Sequence, residues 1–66
     1  MRARLVPTPF LQILPGDVLI GRCGRERVVS QIQPGPYAGS VYVTFRAGGQ
    51  PWIRPETDSA LKVVRD

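Results

Sequence analysis

The chain has 66 residues, of which 42% are hydrophobic, and a formal net charge of +4. A chain of this length forms one domain, because it buries only about 60% of the surface that its unfolded state exposes. Its single cysteine excludes an intrachain disulfide, and it has no histidine to bind zinc or act as a general base. The composition therefore argues against an enzyme and implies no metal or other cofactor.

Residues 1–9 are predicted to form an extended arm outside the folded domain. The Pro7-Thr8-Pro9 unit favours an extended backbone with few hydrogen bonds. These prolines also interrupt the apolar stretch that a signal peptide would need after its basic start. No apolar run approaches the roughly twenty residues that span a bilayer. We therefore expect a cytoplasmic protein that does not associate with membranes, and a lone thiol fits that compartment.

The next segments alternate between apolar runs and turn residues. Residues 10–14 are apolar enough to lie against the domain, as a short strand or a wrapping segment. Pro15-Gly16-Asp17 predicts a sharp turn, and residues 18–22 form the first clear strand. A second strand is predicted over residues 27–33, with Val28, Ser30 and Ile32 on its inward face.

After a long irregular loop, residues 41–46 give the clearest strand pattern in the chain. Apolar and polar side chains alternate, which is typical of a strand with one buried face. The inward set is Val41, Val43 and Phe45, and the outward set is Tyr42, Thr44 and Arg46. The outward face meets solvent or a partner.

Gly48-Gly49 predicts a hairpin that leads into a strand over residues 52–54. A two-residue loop pairs Trp52 with Phe45 and turns the indole inward, whereas a three-residue loop pairs Trp52 with Arg46 and turns it outward. We favour the inward register, because a domain this small has few large residues to fill its centre. Residues 56–60 then predict a single 3-10 turn, and residues 61–65 form the last strand.

Together these short runs predict an all-β fold, an SH3-like barrel of about five antiparallel strands with one 3-10 turn before the last. It occupies residues 10–66 as a single domain. At residues 15–18, residues 41–45 and Arg54-Pro55, the chain resembles small SH3-like or Tudor-like barrels of actinobacteria and their phages and plasmids. The resemblance implies binding of DNA, RNA, proline-rich peptides or other subunits. Peptide-binding SH3 domains have an acidic loop, whereas the loop after Asp17 is rich in arginine here.

The hairpin around Gly24 is the main candidate site. Arg22, Arg25 and Arg27 could project together and hydrogen-bond successive phosphates. The alternative is a solvated loop that protects a sheet edge, and Glu26 favours this alternative because it partly neutralises the arginines.

A second candidate lies on the outward face of residues 41–46. Tyr42 and Arg46 could stack a base or hold a peptide there, although tyrosine is also simply a good strand former. The leading functional hypothesis is contact with DNA or RNA through Arg22, Arg25, Arg27, Tyr42 and Arg46. The alternative is a protein-interaction module, such as a phage- or plasmid-type regulator of a host protein or a subunit of a larger assembly. A core this small also makes self-association as a homo-oligomer plausible.

Overall fold

The computed structural model describes residues 2–21 and 23–65. In these ranges the chain forms one antiparallel sheet with the spatial order β1-β6-β2-β3-β4-β5. The six strands are β1 (Ala3–Pro9), β2 (Val18–Ile20), β3 (Glu26–Pro34), β4 (Ser40–Phe45), β5 (Trp52–Pro55) and β6 (Ser59–Arg65). The all-β prediction is confirmed, with six strands instead of five. β1 and β5 are the edges of the sheet, and no pairing between described residues closes it into a barrel.

The sixth strand is the segment that the sequence indicated as an arm. Ala3–Pro9 is extended as expected, but it pairs with β6 along its whole length, from Ala3 opposite Arg65 to Pro9 opposite Ser59. Pro7 and Pro9 have no N–H to donate, so they suit an edge strand, where one side has no neighbour. The two prolines that suggested a loose segment are therefore compatible with the edge of a sheet, and they protect it from further strand pairing.

Residues 10–14 wrap over the sheet instead of joining it. Phe10–Gln12 is a 3-10 helix in which the Ile13 N–H donates to the Phe10 carbonyl at 3.2 Å. Phe10 and Ile13 are both buried, so this segment covers one part of the core. Among the described residues there is no helix of the length and apolarity needed to cross a membrane.

The predicted 3-10 turn over residues 56–60 is wrong in position. There the chain makes a tight turn between β5 and β6, in which the Asp58 N–H donates to the Pro55 carbonyl at 3.0 Å. Strand pairing resumes at Ser59, so the connection is too short for a helical turn.

The inward face predicted for the second strand is only partly correct. Val29 is fully buried, while Ser30 is exposed and Val28 is half-buried. The cause is a β-bulge between Val29 and Gln31, which adds one residue to β3 and shifts its register against β4. Because of this extra residue, Val29 and Ile32 both face the core although they are three positions apart.

The core lies under the inward face of β4, where the alternation predicted from the sequence is confirmed. Val43 is fully buried, and Val41 and Phe45 are 7% and 6% exposed. The buried cluster contains Phe10, Ile13, Leu19, Val29, Val41, Val43 and Phe45. Ile32, Trp52 and Ala60 pack against it and are partly buried.

The β4–β5 hairpin has a longer loop than either register considered from the sequence. Trp52 pairs with Val43, so residues 46–51 form the loop, and Arg46 belongs to it. Gly48 and Gly49 both have positive φ angles, 79° and 84°, which explains why glycine suits these positions. Trp52 faces inward and is half-buried, as the favoured register predicted, but its partner is Val43, two positions earlier in β4 than the predicted partner Phe45.

Candidate functional site

Two loops at one end of the sheet enclose the candidate site. Residues 21–25 join β2 to β3, and residues 46–51 join β4 to β5. The antiparallel pairing places both loops at the same end, because the start of β3 lies beside the end of β4. Between them is a pocket of about 710 Å³. We call it the arginine pocket, after four of its lining residues: Arg25, Arg27, Arg46 and Arg54.

Two aromatic rings form the floor of the arginine pocket. The ring centroids of Phe45 and Trp52 are 5.0 Å apart, with an interplanar angle of 73°. This is the edge-to-face arrangement that aromatic pairs favour. Phe45 is buried and Trp52 is half-buried, so Trp52 supplies the aromatic surface that a ligand could reach.

Arg27 forms one wall of the pocket and holds it together. Its guanidinium carbon lies 3.8 Å from the centroid of the Phe45 ring, a close cation–π contact. Its Nη2 donates to the carbonyl oxygens of Gly48 and Gln50, both at 3.1 Å. The side chain therefore connects β3 to the β4–β5 loop and fixes that loop over the aromatic floor.

The other three arginines are less constrained. Arg25 and Arg46 are exposed and form no side-chain hydrogen bond or ion pair with another described residue. Arg54 has its guanidinium carbon 5.4 Å from the centroid of Trp52, and its Nη1 donates to the neighbouring carbonyl of Ile53 at 3.0 Å. In the described part of the chain, none of the three has a carboxylate partner. Three guanidinium groups are thus available to an anion.

Glu26 is the acidic residue in the lining, and its charge is compensated from outside the pocket. Its Oε2 lies 2.7 Å from Nη2 of Arg65 at the end of β6. Both side chains are about half exposed, 49% and 46%, so the pair adds little to stability. Among the described residues, the ion-pair partner of Glu26 is therefore Arg65 and not a pocket arginine.

The structure brings three of the predicted site residues together and separates a fourth. Arg25, Arg27 and Arg46 all line the arginine pocket. Tyr42 lies on the opposite face of β4, between the buried Val41 and Val43, and does not line it. Arg22 lies outside the described residues.

Arg54 and Trp52 also line the pocket, and neither belongs to the site predicted from the sequence. The signal was present in the alternation of β5, because Trp52 and Arg54 are two positions apart and share one face. An inward-facing residue at the end of a sheet can still contact a ligand where the sheet is not covered.

Comparison with known proteins found no relative. The chain has no detectable match among protein-family models, curated proteins or solved structures. The fold and the site therefore define a small basic all-β domain with a cationic, aromatic pocket at one end of its sheet.

Proposed function

We propose that this protein is a non-enzymatic binding module that contacts DNA or RNA through the arginine pocket. The observation that supports this most directly is a group of three arginines around a half-buried tryptophan. Arg25, Arg46 and Arg54 have no carboxylate partner among the described residues. Guanidinium groups donate in a planar fork that matches phosphate, and they also stack on aromatic faces. Nucleic acid offers both phosphates and planar bases.

The same geometry argues against a cationic ligand. Aromatic pockets that bind methylated lysine attract the ligand cation to the negative faces of their rings. Here Arg27 already lies over Phe45 and Arg54 lies near Trp52, at 3.8 Å and 5.4 Å from the ring centroids. A further cation would meet repulsion from these groups, whereas an anion would be attracted.

We propose further that the domain is an SH3-like barrel to which β1 adds an edge strand. β2, β3, β4 and β5 follow one another in space as a meander, and β6 returns to pair beside β2. This order supports the resemblance drawn from the sequence. Barrels of this kind serve as scaffolds for many binding functions, so the function rests on the pocket and not on the fold.

The proposal is tested by the salt dependence of binding. We expect micromolar, weakly sequence-dependent affinity for fluorescently labelled oligonucleotides, measured by anisotropy between about 50 and 200 mM salt. Three phosphate contacts give a log–log slope of about −2 on single strands and about −3 on a duplex. The double variant Arg25→Ala/Arg46→Ala should weaken binding and flatten the single-strand slope by about 1.4.

A matched control variant removes the same two positive charges at the other edge of the sheet. Arg2 precedes β1 and Arg4 is the second residue of β1, which is the edge strand opposite β5. Neither residue lines the arginine pocket, so Arg2→Ala/Arg4→Ala should flatten the slope clearly less than Arg25→Ala/Arg46→Ala does. Equal losses in the two double variants would contradict a site at the pocket. Absence of binding to duplex DNA, single-stranded DNA and RNA at low salt would contradict the proposal.

A second candidate function is a protein-interaction module. Leu11 and Tyr37 are 69% and 56% exposed, and both line a second recess, of about 470 Å³, beside the 3-10 helix. Exposed apolar side chains around a recess are typical of protein contact sites. Two results together would favour this function. The folded protein would bind no nucleic acid, and its self-association, measured by sedimentation, would be abolished by Leu11→Glu.

A further inference from the structure

We propose that the arginine pocket receives an unpaired nucleobase stacked on Trp52, so that the ligand is single-stranded nucleic acid. This inference rests on the proposed function and specifies which form of nucleic acid the pocket recognises. It follows from the shape of the site, from the fixed and half-buried position of its tryptophan, and from the difference between its fixed and movable arginines.

The shape of the site favours a base over a duplex backbone. The pocket lies between two loops, and its volume of about 710 Å³ falls in the range typical of sites that enclose small planar ligands. The bases of an intact duplex are stacked inside the helix and cannot enter such a recess unless they are flipped out. A single strand can present its bases without that cost.

Trp52 is held in place before any ligand binds. Its backbone pairs with Val43, and its ring contacts Phe45 edge to face at 5.0 Å. It remains half-buried, so part of the residue is accessible, and the guanidinium carbons of Arg27 and Arg54 lie 5.8 and 5.4 Å from the ring centroid. Base–aromatic stacking does not depend on the identity of the base, because every base has a π-face. A fixed, partly open indole is therefore suited to sequence-tolerant stacking.

The arginines divide into one fixed group and three that can adjust. Arg27 is fixed by two carbonyl acceptors on the β4–β5 loop and by the Phe45 ring. Among the described residues, Arg54 is held by the carbonyl of its own neighbour and by a longer contact with the Trp52 ring, at 5.4 Å. It can therefore move to cover the second face of a stacked base. Arg25 and Arg46, on opposite loops, are placed to contact the phosphates on either side.

Gly21 gives an independent way to test whether the space beside Trp52 is used. A Cβ at Gly21 would lie 3.9 Å from Cζ2 of Trp52 and 3.8 Å from the Arg25 carbonyl oxygen, both ordinary contact distances. Its φ is outside the left-handed range, so a side chain there adds no backbone strain. Gly21→Leu should place a side chain in the space beside the Cζ2 edge of the indole without replacing an arginine.

The experiment compares two single-stranded probes with the same phosphates. One is a thymidine oligomer of about eight nucleotides, within the usual site size, and the other is an oligomer of equal length made only of abasic tetrahydrofuran units. We expect the thymidine oligomer to bind about tenfold more tightly or better and to quench the fluorescence of Trp52, the single tryptophan. A uridine oligomer in parallel distinguishes RNA from DNA as the preferred ligand.

Two variants complete the test. Gly21→Leu and Trp52→Leu should each reduce thymidine binding to the level of the abasic oligomer, and neither should change abasic binding. Thermal unfolding is recorded for both, and Gly21→Leu decides the result if Trp52→Leu does not fold. Equal affinity for the two oligomers, or no effect of Gly21→Leu, would overturn this inference and leave the proposed function standing. No binding of either oligomer at low salt would overturn this inference, and the proposed function would fall with it only if duplex DNA and the uridine oligomer also failed to bind.

Discussion

Replacement of Arg27 by alanine should destabilise the protein more than replacement of any other pocket arginine. Its cation–π contact with Phe45 contributes about 1 kcal/mol at a partly desolvated site. Its two hydrogen bonds to the β4–β5 loop are exposed, so each contributes about 0.5–1 kcal/mol. The expected loss is about 2–3 kcal/mol, which is much of the roughly 3–5 kcal/mol available to so small a core.

Urea unfolding at low temperature, followed by Trp52 fluorescence and far-UV circular dichroism, measures this loss. The melting temperature should fall by roughly 10–20 °C. Arg27→Lys retains the charge but not the planar fork, so it should recover only part of the stability. Arg46→Ala is the matched control and should stay within about 0.5 kcal/mol of the parent protein, because Arg46 has no described partner. Equal stability of Arg27→Ala and Arg46→Ala would refute the assignment of Arg27 as a clamp.

Two further predictions concern the core and the bulge. Val43→Ala removes part of a fully buried side chain and should cost about 2–3 kcal/mol in urea unfolding; a loss below about 1 kcal/mol would contradict its central position. Deletion of Ser30 should leave a cooperatively folding protein, because it restores simple alternation with Val29 and Ile32 still inward. Deletion of Tyr42, the control, should unfold the domain, and an unfolded Ser30 deletion would show that the bend itself is required.

Much of the fold was predictable because it depends on local patterns. The alternation over residues 41–46 identified the buried face of β4 correctly, since the side chains of a strand point to opposite faces at every step. The bulge in β3 was not predictable in this way. It occurs in the pairing of β3 with the distant strand β4, and nothing in the sequence around Ser30 indicates an extra residue.

The candidate site was predictable only in part, because its contacts join residues that are distant in the sequence. Arginines near Gly24 indicated a basic loop, but their environment depends on residues far away in the chain. Arg27 contacts carbonyls more than twenty positions later, and Glu26 is paired with Arg65. Sequence proximity therefore gave no sign that Glu26 pairs with Arg65 or that Arg27 is a clamp.

By itself, the sequence determined the strand-only architecture, the positive charge and the inward side of β4, because alternation, turn chemistry and composition are properties of short segments. The tertiary structure alone decided that Ala3–Pro9 completes the sheet as an edge strand. It also decided that Trp52 and Arg54 join the arginines of two separate loops in one pocket. Both outcomes depend on which strands pair and in which register, and pairing between distant segments is set by the packing of the whole core.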